Sequence, residues 1–280
     1  MLSLRKLVQP VGEHPVPAGP LAVRWLGYEL PELRAGTTAT LRVRAQNAGS
    51  AAWRSRGGTG VLASYHWLDP LGNAIVWDGS RTAMPHSVEP GASVELDMRL
   101  AAPRPPGSYR LAFDLVEEFR FWFAEVGSAT LEVPVQVEPR IAERRLAVRI
   151  HGPADAETEA ALAAQEEPLV TEDAVAVAHL IPGAAPAPDW SRLLLDAHAE
   201  GWAAVGSALE PDARTERRRL VSWAPGGRNP RFLDPLLLPS LLDGLEPETH
   251  DGFPAYTAED GLFEGRAVVR LRRRSGRPSA

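Results

Sequence analysis

The sequence predicts a multidomain β plus α/β protein, an antiparallel β-sandwich followed by a small α/β domain, and three observations predict it. Residues 20–137 carry a series of short runs with period-two alternation, parted by turn residues at intervals of about 8 to 15 positions. The charged stretch EPRIAERR (138–145) then breaks the alternation, and beyond it strand-like and helix-like runs take turns. The length of 280 residues also exceeds what one core normally serves, which is about 100 to 200 residues.

After a proline-rich leader (1–19), LAVRWLGY (21–28) reads as the first strand. The next begins at Gly36-Thr37-Thr38 and places Ala39, Leu41, Val43 and Ala45 on one face, with Thr40, Arg42 and Arg44 on the other, the pattern of a half-buried antiparallel strand. Asn47-Ala48-Gly49-Ser50 turns the chain. VLASYHWL (61–68) and NAIVWDG (73–79) flank Asp69-Pro70-Leu71-Gly72, which predicts a hairpin with a short Gly-containing loop. SVELDMRL (93–100) turns Val94, Leu96, Met98 and Leu100 inward. YRLAFDLVEE (109–118) does the same with Leu111, Phe113 and Leu115, and LEVPVQV (131–137) with Leu131, Val133, Val135 and Val137.

In the second domain, taken as 145–271, RLAVRIH (145–151) reads as a strand, AETEAALAAQ (156–165) as a helix and AVAVAHLI (174–181) as a buried strand. WSRLLLDAHAE (190–200) then reads as a helix and WAAVGSAL (202–209) as a strand. That β-α-β-α-β order predicts a Rossmann-like, mostly parallel sheet. GRAVVRLRRRSGRPSA reads as an edge strand running into a basic tail (272–280).

Composition narrows the function classes. A net charge of -6 gives no global reason to expect nucleic acid. The absence of cysteine removes disulfides, thiolate metal sites and cysteine nucleophiles. The leader has no signal-like apolar core, and no run approaches the roughly 20 apolar residues of a membrane span, so a soluble cytoplasmic protein is expected. No Gly-x-Ser-x-Gly elbow, Walker loop or His-Glu-x-x-His helix is present.

Several strings, NAGSAAW, SYHWLDPLGNAIVWDGSRTAMP and EPGASVELDMRLAAPRPPGSYRLAFDLVEE followed by WF, resemble the immunoglobulin-like domain appended to bacterial glycosyltransferases and methyltransferases of surface polysaccharide synthesis. The resemblance covers about residues 20–137 and implies an immunoglobulin-like sandwich that serves as an accessory module without catalytic residues of its own. The string AHLIPGAAPAPDWSRLLLDAHAEGWAAVGSALEP is faintly similar to the core of family-two glycosyltransferases, which implies a reduced version of their GT-A fold. Those enzymes end the corresponding strand with an Asp-x-Asp-type metal motif, whereas this chain reads His179-Leu180-Ile181-Pro182-Gly183-Ala184, and hard cations need oxygen ligands.

The candidate ligand residues fall into three groups, each with a plainer alternative. Tyr65, His66, Trp67, Trp77, Asp78 and Arg81, with Trp122, can form a sugar platform of aromatic faces and hydrogen-bonding groups. Tyr65 and Trp67 face away from His66 in a strand, however, and burial statistics favour core packing for one set. His151 and His179 end two predicted strands, where α/β sheets hold ligands, but as metal ligands they lack a third partner and serve equally as ordinary strand-end histidines. Trp223 and Arg228, around Gly226-Gly227, suit a phosphate or acceptor loop, or simply a flexible connection. Glu117, Glu118 and Glu125 read as a solvated edge rather than a glycosidase carboxylate pair.

These readings favour a non-catalytic protein, with no cofactor and no metal, that recognises a glycan or a glycan-assembly enzyme. The alternatives are a metal-free glycosyltransferase working through His151, His179 and Arg228, or a structural interaction scaffold docking through the apolar stretch 232–245; a homo-oligomer is a further partner that the sequence leaves open.

Overall fold

The computed structural model describes residues 9–150, 152–180, 183–209, 231–232, 240–242, 248–250, 253–256 and 262–271. The chain separates into two compact units. One gathers Thr37–Pro103, Gly107–Glu138 and the strands that precede Thr37 up to Leu33; the other gathers the described chain from Pro139 onward, with Arg34–Gly36 and Arg104–Pro106.

The first unit is a β-sandwich. Its first sheet runs β1 (Gln9–Pro10), β2 (Val23–Glu29), β4 (Thr38–Asn47), β9 (Ser93–Ala101). Its second runs β3 (Leu33–Arg34), β12 (Leu131–Glu138), β10 (Gly107–Glu117), β6 (Thr59–Leu68), β5 (Ser55–Arg56). Three short strands join that second sheet: β7 (Ala74–Val76) and β8 (Thr82–Ala83) on β6, and β11 (Phe121–Trp122) on β10. β1 lies inside the expected loose leader and pairs Gln9 with Tyr28, whose hydroxyl donates to the Gln9 side chain at 3.0 Å.

Strict alternation of buried and exposed residues along β9 and β12 leaves one face of each for the core. Leu41, Val43, Leu96, Met98, Phe113, Leu115, Val133 and Val135 fill the space between the sheets. Polar atoms tie the two layers at their rims. The Trp67 indole donates to the Ala101 carbonyl at 2.9 Å, the Ala101 amide donates to the Tyr65 hydroxyl at 3.0 Å, and the Trp25 indole donates to the Ala129 carbonyl at 2.9 Å. Each bond satisfies a buried polar tip of an aromatic otherwise spent on packing.

The second unit is built on a mixed sheet of order β13 (Leu146–Ile150), β14 (Ala176–Leu180), β18 (Ser240–Leu242), β16 (Ala204–Leu209), β21 (Leu262–Leu271), β15 (Ala184–Pro186). A separate small sheet runs β17 (Arg231–Phe232), β20 (Phe253–Tyr256), β19 (Glu248–His250). Helix α1 (Ala156–Ala163) opens on Asp155, whose carboxylate accepts the Thr158 amide at 2.8 Å, and helix α2 (Trp190–Ala199) buries Trp190, Leu194, Leu195 and Ala197.

The sheet corrects two expectations. β13 and β14 are parallel, as are β16 and β21, but β18 enters between β14 and β16 antiparallel to both, so the mostly parallel Rossmann-like order does not hold. β21 is not an edge strand, because β16 pairs one side of it and β15 the other. Both follow from segments too short or too proline-flanked to signal a strand: β18 has three residues directly after Pro239, and β15 has three ending in Pro186.

Candidate functional site

From Leu62 along β6 and from Ala112 along β10 the outward residues are buried as well as the inward ones. On β6 the inward residues Val61, Ala63, Tyr65 and Trp67 are buried in the sandwich, while the outward Leu62, Ser64 and His66 are also buried. Register places Ser64 opposite Asp114 and His66 opposite Ala112. The segment from β7 to β8 runs beside β6 and, with β11, supplies the side chains that lie over this face. It pairs with β6 at Val76 opposite Trp67, holds on at Gly79, whose amide donates to the Tyr65 carbonyl at 3.0 Å, and pairs again at Thr82 opposite Ala63.

That segment brings Trp77 onto His66. The two rings stack with centroids 4.1 Å apart and planes 22° apart, and the His66 Nδ1 donates to the Trp77 carbonyl. Because a carbonyl only accepts, Nδ1 carries a hydrogen in this bond. Trp122 on β11 meets both edge-on, at 4.4 Å from His66 and 6.2 Å from Trp77. Trp77 is 52% exposed, so one indole face rests on His66 and the other is open to solvent.

Beneath the stack lies a buried polar floor. Asp114 accepts backbone amides from Leu115 at 2.7 Å and Ala124 at 3.3 Å, and its Oδ2 stands 3.9 Å from His66 Nε2, a nitrogen with no hydrogen-bond partner among the described residues. Burial pushes the Asp114 carboxyl up, against the pull of His66 and of those two amides. This pair is short of metal-binding geometry, and among the described residues no group of three or more His, Asp or Glu side chains converges to hold an ion.

Arg81 borders the platform. Its Nε donates to Glu118 at 2.8 Å, one terminal nitrogen donates to the Ser64 hydroxyl at 3.0 Å and the Gly79 carbonyl at 2.9 Å, and the other pairs with Asp78 at 2.6 Å. The guanidinium also lies 4.8 Å over the Trp122 ring. Burial alone would lower Arg81, but its bonds to Glu118 and Asp78 hold it above its ordinary range.

The seven predicted platform residues are therefore divided. His66, Trp77, Asp78, Arg81 and Trp122 come together on the outer face, whereas Tyr65 and Trp67 point into the sandwich core. Glu118 does not lie on a solvated edge: it is held by Arg81 and partly buried, and Glu125 folds back to accept the Trp122 amide at 3.0 Å. Asp114, Ser64 and Gly79 belong to the cluster without having been singled out. Asp114 carried a signal, a carboxylate at an outward position between Ala112 and Val116, both apolar, which is the mark of a strand covered on both faces. In the second unit His179 is half-buried on β14 in register with Arg149. His151, Trp223, Gly226, Gly227 and Arg228 lie outside the described residues, as does the basic tail.

Gly79 is where the covering segment approaches the sheet most tightly. An added Cβ would stand 2.5 Å from the Tyr65 carbonyl oxygen and 2.7 Å from its ring, which the hydrogen bond to Ala101 holds in place. Gly79→Ala is expected to cost about 1–3 kcal/mol through overpacking and to lift Trp77 off His66. Urea unfolding checks the first effect and tryptophan emission the second; an unchanged midpoint with unchanged emission refutes both.

No family model and no curated protein matches this chain. Among solved structures it is similar to the C-terminal domain of wzt, over 48% of this chain and 79% of that one, at 12% identity and a TM-score of 0.30. It is also similar to a family 123 glycoside hydrolase from Clostridium perfringens over 47% of this chain and 26% of the hydrolase, at 9% identity and a TM-score of 0.23. A PapD-like domain of human CEP192 aligns over 49% of this chain and 96% of its own length, at 14% identity and a TM-score of 0.20. Scores this low assign no activity.

Proposed function

We propose that the sandwich is a non-catalytic glycan-binding module. The observation that carries this reading is Trp77: an indole half open to solvent, backed by His66, edged by Trp122 and flanked by a carboxylate and a guanidinium. Such a face suits the C–H surface of a pyranose, and the flanking groups suit its hydroxyls. Holding the ring in one orientation before the ligand arrives spares part of the ordering cost of binding. The sequence resemblance to accessory domains of surface-polysaccharide enzymes supports placing the protein in that chemistry, as a cytoplasmic partner of the enzymes rather than as one of them.

A glycan array probed with the full chain tests this. Wild-type protein is expected to bind a defined set of glycans, Trp77→Ala to lose at least tenfold in affinity for that set, and Trp77→Phe, which keeps a ring on His66, to lose less. A blank array, or Trp77→Ala binding like wild type, refutes the reading. A second reading, docking of a partner enzyme, is favoured by the exposed Leu71, Ile75 and Val76 beside the platform; it predicts that Ile75→Lys abolishes complex formation while glycan binding is untouched.

A further inference from the structure

We infer that the Trp77 platform takes glycans free of acidic groups and discriminates against uronate, sialate, sulfate and phosphate, an assignment that rests on the glycan reading above. The cation packed against this cluster among the described residues is Arg81, and four of its five N–H groups are engaged within the protein. Nε serves Glu118, one terminal nitrogen serves Ser64 and Gly79, and the other serves Asp78. A guanidinium has five N–H groups in a fixed fork and no freedom to redirect them singly. An acidic sugar would therefore find at most one N–H beside Asp78, and would have to pull Asp78 away from Arg81 to gain the bidentate grip that carboxylates and phosphates favour.

The charge balance points the same way. Asp78 and Glu118 present two carboxylates to one guanidinium, so the group carries an excess negative charge, and the carboxylate on the outside is Asp78, 71% exposed, immediately after Trp77 in the chain. A carboxylate only accepts hydrogen bonds. It can receive them from sugar hydroxyls, and charge-assisted bonds of that kind are the stronger sort. Towards an acidic group it offers repulsion and no donor. Among the described residues no second cation joins Arg81 in the ring contacts made by His66, Trp77 and Trp122.

The test uses the full chain on an array that carries neutral, uronate, sialylated, sulfated and phosphorylated glycans, followed by titration with the best-bound glycan and with its C6-oxidised counterpart, in which a uronate carboxylate replaces the hydroxymethyl group. The bound set is expected to be non-acidic, and oxidation to weaken binding at least tenfold at 50 mM salt and by less at 500 mM, where screening shortens the reach of Asp78. Asp78→Asn, a surface change that keeps an acceptor oxygen, is expected to restore at least threefold of the affinity for the oxidised form, which separates a charge effect from mere loss of the C6 hydroxyl. A bound set made of acidic glycans overturns the inference, as does an oxidised glycan that binds equally well or an Asp78→Asn variant that restores nothing. In each of those cases glycan binding itself survives. A blank array instead removes the glycan reading, and this inference with it.

Discussion

Replacing Trp67 with alanine is expected to lower the unfolding free energy of the sandwich by about 3–5 kcal/mol, the range for emptying a large aromatic site in a packed core. Trp77→Ala, on the same hairpin, is expected to cost about 1 kcal/mol or less, because half of the Trp77 ring is already in water. Trp67 is fully buried, meets Tyr109 edge-on at 5.9 Å and donates its indole N–H to Ala101 across the two sheets. Its removal leaves a cavity, and it leaves the Ala101 carbonyl at the sandwich rim without its donor. Urea unfolding of both variants at 25 °C, with equal m-values, measures the difference. Two variants with the same loss would mean that Trp77 is core and not platform, and the functional reading would fail with it.

That contrast marks how far the sequence was legible. Alternation along residues 38–47, 93–101 and 131–138 identifies the inward face of each strand, because one face of these strands meets water and the other does not. β6 from Val61 and β10 from Leu111 break that logic, since both faces are buried there. Periodicity therefore sorts Tyr65 and Trp67 from His66, yet says nothing of whether His66 is exposed. Its burial depends on the segment from β7 to β8 pairing alongside the strand and laying Trp77 over it, and the contacts that hold this segment, Gly79 to Tyr65 and Arg81 to Ser64, link positions whose pairing leaves no periodic trace. The second unit was legible in its helices and in the strands of five or six residues, β13, β14 and β16. What reorders its sheet is three residues long, below the length at which alternation can be counted.

Acid is expected to unfold the second unit by way of His198. This imidazole sits fully buried on α2, where Nδ1 donates to the Trp202 carbonyl at 2.8 Å, so Nε2 carries the lone pair and accepts the Ser240 hydroxyl at 3.0 Å, joining the helix to β18. Burial, with the nearby Arg140 charge acting in the same direction and the Trp202 carbonyl against it, lowers its pKa from 6.5 to about 4. Between those two values the unfolded chain has bound a proton at this ring and the folded chain has not, so stability falls as pH falls, and it is fully present only above about 6.5. The whole interval corresponds to about 3 kcal/mol, of which about 2 kcal/mol should be gone by pH 5. Asp114 in the sandwich works oppositely: its raised pKa favours the folded form in acid, so acid sensitivity from His198 should be confined to the second unit. Hydrogen exchange of the α2 amides, Trp190–Ala199, between pH 7 and 5 and corrected for intrinsic rates, isolates that unit. Protection there should weaken with acid in the wild type and change much less in His198→Gln, which has an amide in place of the titrating ring; equal slopes in the two proteins would assign the acid sensitivity to other groups.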